Sequence, residues 1–389
     1  MSKAFYTLLI AQFLSALADN AMLIAAIALL QKMSAPSWHQ PLLLQFFVIS
    51  YILLAPFVGS FADAMPKGRV MFISNGIKFV GSISMMFGMP PLYAYGIVGI
   101  GAAAYSPAKY GILTEMLPAE ALIKANGWIE GSTVAAIILG AMGGAFAQKN
   151  AALAMVVISV LYLLAAIFNY FIPKLPIDHK PLNNSPWYMI KDFFLSFMTL
   201  WRDPKGQVSL AVTTLFWGVG ATLRLVVIAW AAYALSFNLE KSTQLMAYVV
   251  FGVAVGSVIA AKYINLENSI KVLPAGIAMG ILVLGMQFVT EWHIAAALLF
   301  FIGALSGFFL VPLNALLQHR GHLLIGAGHS IAVQNFNENL GILVLSGAYT
   351  LMTKAAFSMN TIIVIFGLFI CLSMSGINHY YRKQIGASH

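Results

Sequence analysis

The 389-residue chain is 61% hydrophobic and only 8% charged, whereas soluble chains carry about 25% charged residues. This composition indicates a polytopic membrane protein and excludes an ordinary soluble enzyme. The net charge of +9 does not indicate nucleic-acid binding, because the basic residues cluster in alternate short loops, as membrane topology requires. The single cysteine, Cys371, lies in an apolar run, which excludes a disulfide framework and a cysteine-based metal site.

Twelve apolar windows follow one another along the chain, and a helix of about 20 residues is enough to cross a bilayer. The windows lie at about 5–31, 41–62, 69–90, 92–114, 126–148, 151–173, 207–235, 243–264, 270–290, 293–318, 325–352 and 355–381. The pattern predicts an all-α membrane protein with twelve transmembrane helices. Because Met1-Ser-Lys leads directly into the first window, we expect no cleavable signal peptide.

A polar segment at 174–206 separates the first six windows from the last six. We therefore predict two six-helix bundles, at 1–173 and 207–389, joined by a cytoplasmic linker. The linker contains an amphipathic stretch from Trp187 to Trp201, which predicts a helix lying in the membrane interface. Its predicted apolar face consists of Ile190, Phe194, Phe197 and Trp201.

The two halves match one another at an offset of about two hundred residues, which indicates an internal duplication and pseudo-symmetric bundles. Gly59-Ser-Phe-Ala corresponds to Gly256-Ser-Val-Ile, and Pro107 corresponds to Pro312. Fourteen of the 21 Lys and Arg residues fall on the side that carries both termini, against four on the other side. This bias predicts cytoplasmic termini.

The loop after the second window reads Gly59-Ser-Phe-Ala-Asp63-Ala-Met-Pro-Lys67-Gly68-Arg69. It resembles the signature loop of the major facilitator superfamily, G-x-x-x-D-x-x-G-R, with two extra residues between Asp63 and Gly68. The resemblance implies a gate. Gly59 would allow close helix approach, and Asp63 would pair with basic groups such as Arg69 or with a helix end. The alternative is an ordinary charged turn.

A longer resemblance covers most of the chain. The segments AQFLSALADNAML, YILLAPFVG, GAAAYSPAKYGIL, KANGWIEGST, LFWGVGATLR, VPLNALLQHRG and GAGHSIAVQNFNEN resemble the bacterial lysophospholipid transporter family of that superfamily. The resemblance implies that lysophosphatidylethanolamine and lysophosphatidylglycerol are moved from the outer to the inner leaflet of the inner membrane. It also implies a partner acyltransferase/acyl-carrier-protein synthetase, no cofactor, and no need for ATP or a proton gradient.

Buried charges suit such a cargo, because a phosphatidylethanolamine headgroup carries an ammonium and a phosphate. An ionised Asp in a membrane helix costs about 2.5–3.5 kcal/mol, so Asp19 is expected to have a partner or a use. Asp19 with Asn20 is the candidate for the ammonium, and Arg224 is the candidate for the phosphate. The alternative is that Asp19 and Arg224 only neutralise each other.

Lys109 is a second candidate for the phosphate, with snorkelling to the membrane surface as the alternative. Lys78 is expected to be a structural partner for Glu130 or Asp63. The polar residues Glu130, Asn335 and Glu338 form either a strip along the transport path or hydrogen bonds that hold helices together.

Four-residue glycine spacings predict close helix packing. They are Gly252/Gly256, Gly276/Gly280 and Gly303/Gly307.

The histidines at positions 319, 322 and 329 suggest the hypothesis of a metal site or a pH sensor. However, His319 and His322 flank Arg320 and are expected in a solvated loop. No acyltransferase, phosphate-loop or nucleophile-elbow motif is present, so the sequence does not indicate an enzyme. Two alternatives to a flippase are open. They are a proton-coupled exporter of amphipathic drugs that titrates Asp19 or Glu130, and a membrane-embedded acyltransferase.

Overall fold

The computed structural model describes residues 2–35, 39–145, 147, 149–176, 185–237 and 239–386. These residues form thirteen α-helices and three short 3₁₀ segments, without a β-strand among them. The helices are α1 (Lys3–Lys32), α2 (His39–Ala64), α3 (Lys67–Met86), α4 (Pro91–Met116), α5 (Leu122–Ala145), α6 (Ala151–Tyr170), α7 (Pro186–Arg202), α8 (Pro204–Leu235), α9 (Leu239–Tyr263), α10 (Leu273–Gly285), α11 (Trp292–Ile325), α12 (Ala327–Lys354) and α13 (Met359–Gly386).

Every predicted apolar window corresponds to one helix, and α7 corresponds to the predicted helix of the linker. Within the described residues, eight helices are long and apolar enough to cross a membrane. The predicted solvated loop around His319 and His322 is wrong, because α11 continues to Ile325 and contains both residues.

The chain forms two compact units. The first unit comprises Met1–Pro118, Ser132–Leu200 and Gly321–Phe336, and the second comprises Ala119–Gly131, Trp201–Arg320 and Asn337–His389.

The core of the first unit is built on small residues of α1. Ala18, Ala21 and Ala25 are buried, and they belong to one apolar cluster with Val98 of α4 and Ile158 of α6. Small side chains allow helices to approach closely in a membrane, where packing rather than water exclusion drives association. The core of the first unit therefore depends on close backbone contact.

The core of the second unit is centred on α8. Val212, Val219 and Val226 recur every seven residues and belong to one cluster with residues of α10, α11 and α13. Trp230 extends the same face and donates from Nε1 to the carbonyl oxygen of Met286 at 3.1 Å. A buried indole with its N–H paired fixes the rotation of α8 about its axis.

Helices α9 and α11 touch through the predicted glycines. A Cβ added at Gly252 would lie 2.1 Å from the carbonyl oxygen of Phe300, and one added at Gly256 would lie 1.9 Å from the carbonyl oxygen of Ala304. Added Cβ atoms at Gly303 and Gly307 would lie 2.1 and 2.2 Å from the carbonyl oxygens of Val249 and Val253. The predicted close packing is confirmed at these four positions, and we call this contact the glycine seam.

The linker helix α7 buries one face and exposes another. Phe193 and Leu200 are buried, and the rings of Phe193 and Phe197 pack edge-on against Phe336 at 5.5 and 6.2 Å. Of the predicted apolar face, Phe194 is exposed, whereas Phe197 is partly buried and contacts Phe336. The exposed apolar residues of the described helix are Trp187, Phe194, Leu195 and Met198.

Candidate functional site

A buried ion pair lies at the centre of the candidate site, and it joins Asp19 to Lys78. Lys78 Nζ lies 2.7 Å from Asp19 Oδ2 and donates to Ser15 Oγ at 3.0 Å. Tyr162 donates its hydroxyl to the other carboxylate oxygen of Asp19 at 2.8 Å. The prediction that Lys78 pairs with Glu130 or Asp63 is therefore wrong, since its carboxylate partner is Asp19.

Helix spacing and one glycine place these groups. Ser15 and Asp19 are four residues apart on α1 and therefore share a face. On α4, Gly101 leaves room for the lysine, because an added Cβ would lie 2.7 Å from Lys78 Cγ. The Lys78 ammonium also lies 4.6 Å from the ring centroid of Tyr105, at a distance that favours a cation–π contact.

Asp19 and Lys78 differ in their access to solvent. The Asp19 side chain is 23% exposed, whereas that of Lys78 is 1% exposed. Both line a pocket of about 310 Å³ in the first unit, and Lys109 lines it as well. We call this space the charged pocket, and its ionisable lining carries one negative and two positive groups.

Asn20 does not line the charged pocket. Its side-chain amide donates to the carbonyl oxygen of Ala16 at 2.8 Å, within its own helix. Its Cβ lies against α5, where a Cβ added at Gly140 would be 2.7 Å away. Asn20 is thus placed at a helix contact. Asn335 is buried and accepts from the pocket residue Ser106 at 3.4 Å.

Arg224 lies in the second unit and lines a different pocket. This pocket is lined by residues of α8, α9, α10 and α11, and its volume of about 510 Å³ includes space that is open to the solvent. The guanidinium is the only charged group among its lining residues, and the Arg224 side chain is exposed. We call this space the apolar pocket. Glu130 and Glu338 also belong to the second unit, where both are buried.

A cluster of amides in the second unit was not predicted. Asn126 donates to Gln318 Oε1 at 2.8 Å and accepts from Gln318 Nε2 at 2.9 Å, so the two side chains form a reciprocal pair. Asn314 donates to the same Asn126 oxygen at 3.2 Å. The available signal was the presence of three amide side chains in apolar windows, where such groups need internal partners.

The signature loop places Asp63 at the start of α12. Asp63 Oδ1 accepts from the Gly328 N–H at 2.9 Å, and Oδ2 accepts from the His329 N–H at 3.1 Å. Lys67 Nζ lies 2.5 Å from Asp63 Oδ1 and 3.2 Å from Glu115 Oε1. A carboxylate at a helix N-terminus satisfies unpaired N–H groups and opposes the positive end of the helix dipole.

His329 extends this cluster to the linker helix. Its Nδ1 lies 2.6 Å from Asp63 Oδ2, and its Nε2 lies 3.0 Å from Asp192 Oδ2 on α7. Both ring nitrogens face carboxylates, an arrangement that suits the imidazolium form. Sequence reasoning missed His329 in this role. The signal was its position directly after Gly328, at a predicted helix start.

The other two residues of the predicted gate occupy different environments. Gly59 lies against α12, since an added Cβ would be 3.1 Å from His329 Cα. Arg69 is exposed, and Lys67 supplies the cation that pairs with Asp63. No group of three or more His, Cys, Asp or Glu side chains within the described ranges could hold a metal ion.

A separate ion pair, between Asp203 and Arg320, joins the start of α8 to the end of α11. Asp203 accepts from the Gly206 N–H at 2.8 Å, which caps α8, and from Arg320 Nε at 3.0 Å. A second Arg320 nitrogen contacts the other carboxylate oxygen, so the pair is bidentate. Burial raises the pKa of the Asp203 carboxyl, but the hydrogen bonds that Arg320 and Gly206 donate outweigh burial and hold this pKa below its usual value.

The long apolar helices bury ion pairs and amide clusters, and polar groups line internal pockets. These features define a multi-pass membrane transporter. The family model described as Major Facilitator Superfamily matches residues 8–346. The chain belongs to the Major Facilitator Superfamily.

Curated relatives cover nearly the whole chain. A protein of Serratia proteamaculans is 46% identical over 356 residues, which are 91% of this chain and 89% of the relative. One of Citrobacter koseri is 44% identical over 389 residues, with 99% and 97% covered. Both are named "Lysophospholipid transporter LplT".

Solved structures with the same fold are more distant in sequence. The transporter FucP in the outward conformation has a TM-score of 0.77 at 12% identity, with 97% of this chain and 98% of FucP covered. A bacterial homologue of the iron transporter ferroportin has a TM-score of 0.77 at 15% identity, with 98% and 100% covered. These two structures confirm the predicted major facilitator fold.

Proposed function

We propose that the protein is a lysophospholipid flippase of the bacterial inner membrane, with both termini in the cytoplasm and bundles at 1–173 and 207–389. Its substrates are lysophosphatidylethanolamine and lysophosphatidylglycerol, which move from the outer to the inner leaflet. The observation that carries the proposal is the charged pocket, with one partly open carboxylate and two ammonium groups. The names of relatives that are 44–46% identical support the same cargo.

The charged pocket suits a zwitterionic headgroup. The open side of Asp19 accepts the substrate ammonium, which competes there with Lys78 for the same carboxylate. Lys109 lines the same pocket and binds the phosphate. A phosphatidylglycerol headgroup has no ammonium, so within the charged pocket it is bound by the lysines and not by Asp19. The pocket therefore accepts both headgroups, with Asp19 important mainly for the zwitterionic one.

Polar residues outside the charged pocket have roles in the same transport cycle. Arg224 binds the substrate phosphate in the second unit, where a guanidinium offers two parallel donors. Asn20 keeps α1 against α5. The buried residues Glu130, Asn335 and Glu338 supply hydrogen bonds along the transport path.

The cluster around Asp63 is the gate. Its carboxylate binds the first N–H groups of α12 and the Lys67 ammonium, so opening requires several charge-assisted hydrogen bonds to break together. Gly59 permits the close contact with α12, and the exposed Arg69 lies in the first turn of α3. In the inner leaflet, the product passes to an acyltransferase/acyl-carrier-protein synthetase.

The test uses spheroplasts of cells that lack their own transporter but retain the acyltransferase. Labelled lysophosphatidylethanolamine is added outside, and its conversion to the diacyl lipid is followed. The intact protein is expected to support conversion, and Asp19→Asn and Arg224→Ala are expected to abolish it. Glu267→Gln, which removes an exposed carboxylate, is the matched control and should retain conversion. No conversion above cells with an empty vector would refute the flippase. Efflux of amphipathic drugs that depends on a pH gradient would then favour the proton-coupled exporter.

A further inference from the structure

The linker helix α7 directs its one carboxylate towards the protein. Asp192 Oδ2 lies 3.0 Å from His329 Nε2 on α12, and the two side chains are 30% and 6% exposed. The residues on either side of Asp192 differ, since Lys191 is exposed and Phe193 is buried. Asp192 therefore lies at the border between the two faces of α7, where its carboxylate reaches α12.

His329 is shared between two carboxylates and one hydroxyl. Its Nδ1 lies 2.6 Å from Asp63 Oδ2, whereas its Nε2 faces Asp192 and lies 3.2 Å from Ser60 Oγ. A neutral imidazole carries one N–H and donates to one carboxylate only, whereas an imidazolium donates to both. Asp192 therefore gives the second N–H of His329 a charged acceptor.

The charges around His329 also favour the imidazolium. Lys67 on α3 pairs with Asp63 on α2 and with Glu115 on α4. With an imidazolium, the carboxylates of Asp63, Glu115 and Asp192 face two cations. With a neutral ring they would face one, and like charges in a buried cluster repel one another. The positive ring therefore holds together carboxylates from α2 and α7.

A second contact holds α7 against the same face of α12. Phe336 lies seven residues after His329, which is two helical turns and about 10 Å along the axis. The rings of Phe193 and Phe197 pack edge-on against Phe336 at 5.5 and 6.2 Å. Helix α7 is thus joined to α12 by an ionic contact and an aromatic contact, and the ionic contact is the one that includes a residue of the gate.

We propose that Asp192 is a positioning residue of the gate and that it acts through His329. Its carboxylate holds the imidazolium between α7 and α2, which keeps Asp63 on the first N–H groups of α12. The gate then opens only when Asp192 releases His329, so the linker helix is part of the gate. This inference rests on the proposed gate around Asp63 and extends it to an element outside the two bundles.

The backbone N–H groups of Gly328 and His329 report on this contact. They donate to Asp63 in the first turn of α12, where N–H groups have no acceptor within the helix. Their exchange with deuterium therefore follows the opening of the gate. The measurement uses the purified full-length protein in detergent, without lipid substrate, and mass spectrometry of peptides that cover the start of α12.

Four variants test the role of Asp192. Asp192→Ala should speed this exchange by about tenfold or more, which is the effect of losing a hydrogen bond to a charged group. Asp192→Glu keeps the carboxylate and should stay within about threefold of the unmodified protein. Lys191→Ala, at the exposed neighbouring residue, is the matched control and should change the exchange by less than about twofold. In a His329→Gln background, Asp192→Ala should add less than about twofold, because its partner is already gone.

Three results would overturn the inference. They are an exchange rate that Asp192→Ala leaves unchanged, a failure of Asp192→Glu to preserve slow exchange, and a full tenfold effect of Asp192→Ala in the His329→Gln background. The last result would show a general loosening of α7 that does not act through His329. Failure of the flippase function is a different result, because it appears as absent lipid conversion by the unmodified protein in spheroplasts.

The protonation state of His329 tests the inference without altering the contact. Nitrogen NMR of protein with labelled histidines distinguishes an imidazolium from a neutral ring, and the signal that His329→Gln removes belongs to residue 329. We expect a doubly protonated ring at about pH 7, since both nitrogens face carboxylates. A neutral ring at that pH would overturn the inference, because one of the two carboxylates would then receive no N–H from His329.

Discussion

Replacing Asp19 with asparagine and Lys78 with methionine, singly and together, tests the asymmetry of the buried ion pair. At 2.7 Å and an effective dielectric constant of about 20, the attraction is about 6 kcal/mol before desolvation is counted. Desolvation offsets much of this, so the intact pair adds little net stability. Removal of one partner is different, because it leaves the other charge buried.

The two single substitutions should differ in their effect on the free energy of unfolding. Asp19→Asn leaves the 1% exposed Lys78 ammonium with Ser15 and the Tyr105 ring, and should destabilise by about 3–5 kcal/mol. Lys78→Met leaves a carboxylate that is 23% exposed and still bonded to Tyr162, and should cost only about 1–3 kcal/mol. The double variant should be more stable than Asp19→Asn alone, since neither charge remains.

The single cysteine provides the assay. Cys371 is half-buried against Gly280, and its thiol reacts with a fluorogenic maleimide when the detergent-purified protein unfolds on heating. Lys262→Met, which removes an exposed lysine, is the control and should change the midpoint little. A larger loss for Lys78→Met than for Asp19→Asn would refute the asymmetry. A double variant equal to the sum of the singles would refute the pairing.

Three further predictions concern the gate, the arginine of the apolar pocket and the ion pair between Asp203 and Arg320. Asp63→Asn removes the negative charge at the start of α12. A charge at a helix terminus contributes up to about 2 kcal/mol when it is buried, so lipid conversion should change about tenfold or more. An effect no larger than that of Arg69→Gln, at an exposed residue, would contradict the gate. Arg224→Lys keeps the charge but loses the paired donors, so conversion should fall between that of the unmodified protein and Arg224→Ala; equality with Arg224→Ala would contradict a role for the charge. Because the folded-state pKa of Asp203 is lowered, its bond to Arg320 stabilises the protein fully above the usual value of 3.8, and this contribution disappears as the pH falls through the lowered value. Asp203→Asn should therefore reduce the unfolding midpoint at pH 6 and flatten its decline below pH 4, and an unchanged decline would contradict the assignment.

The helices could be predicted from the sequence because hydropathy depends on local composition. A bilayer requires about 20 apolar residues for a helix that spans it, and it forces each backbone polar group to pair within its own helix. The glycine spacings also gave a correct result, since four-residue spacing places two glycines on one helix face. Where α11 ends was not predictable from its polar tail, because Arg320 is held there by Asp203, 117 residues earlier in the chain.

The pairing of charges could not be predicted, because hydropathy does not determine how each helix is rotated about its axis. Lys78 had several carboxylates as possible partners, and the choice of Asp19 follows from Ser15, Tyr162 and the space beside Gly101. The position of Arg224 in a separate pocket depends in the same way on the rotation of α8 and its neighbours.

The glycine seam has a consequence for genetics. Every amino-acid substitution reachable from a glycine codon by one base change adds a Cβ, and at Gly252, Gly256, Gly303 and Gly307 that atom would overlap a carbonyl oxygen of the facing helix. These four codons are therefore a target at which almost every missense change is damaging. A random screen for loss-of-function alleles should recover them often, although none of the four lines the charged pocket or the apolar pocket.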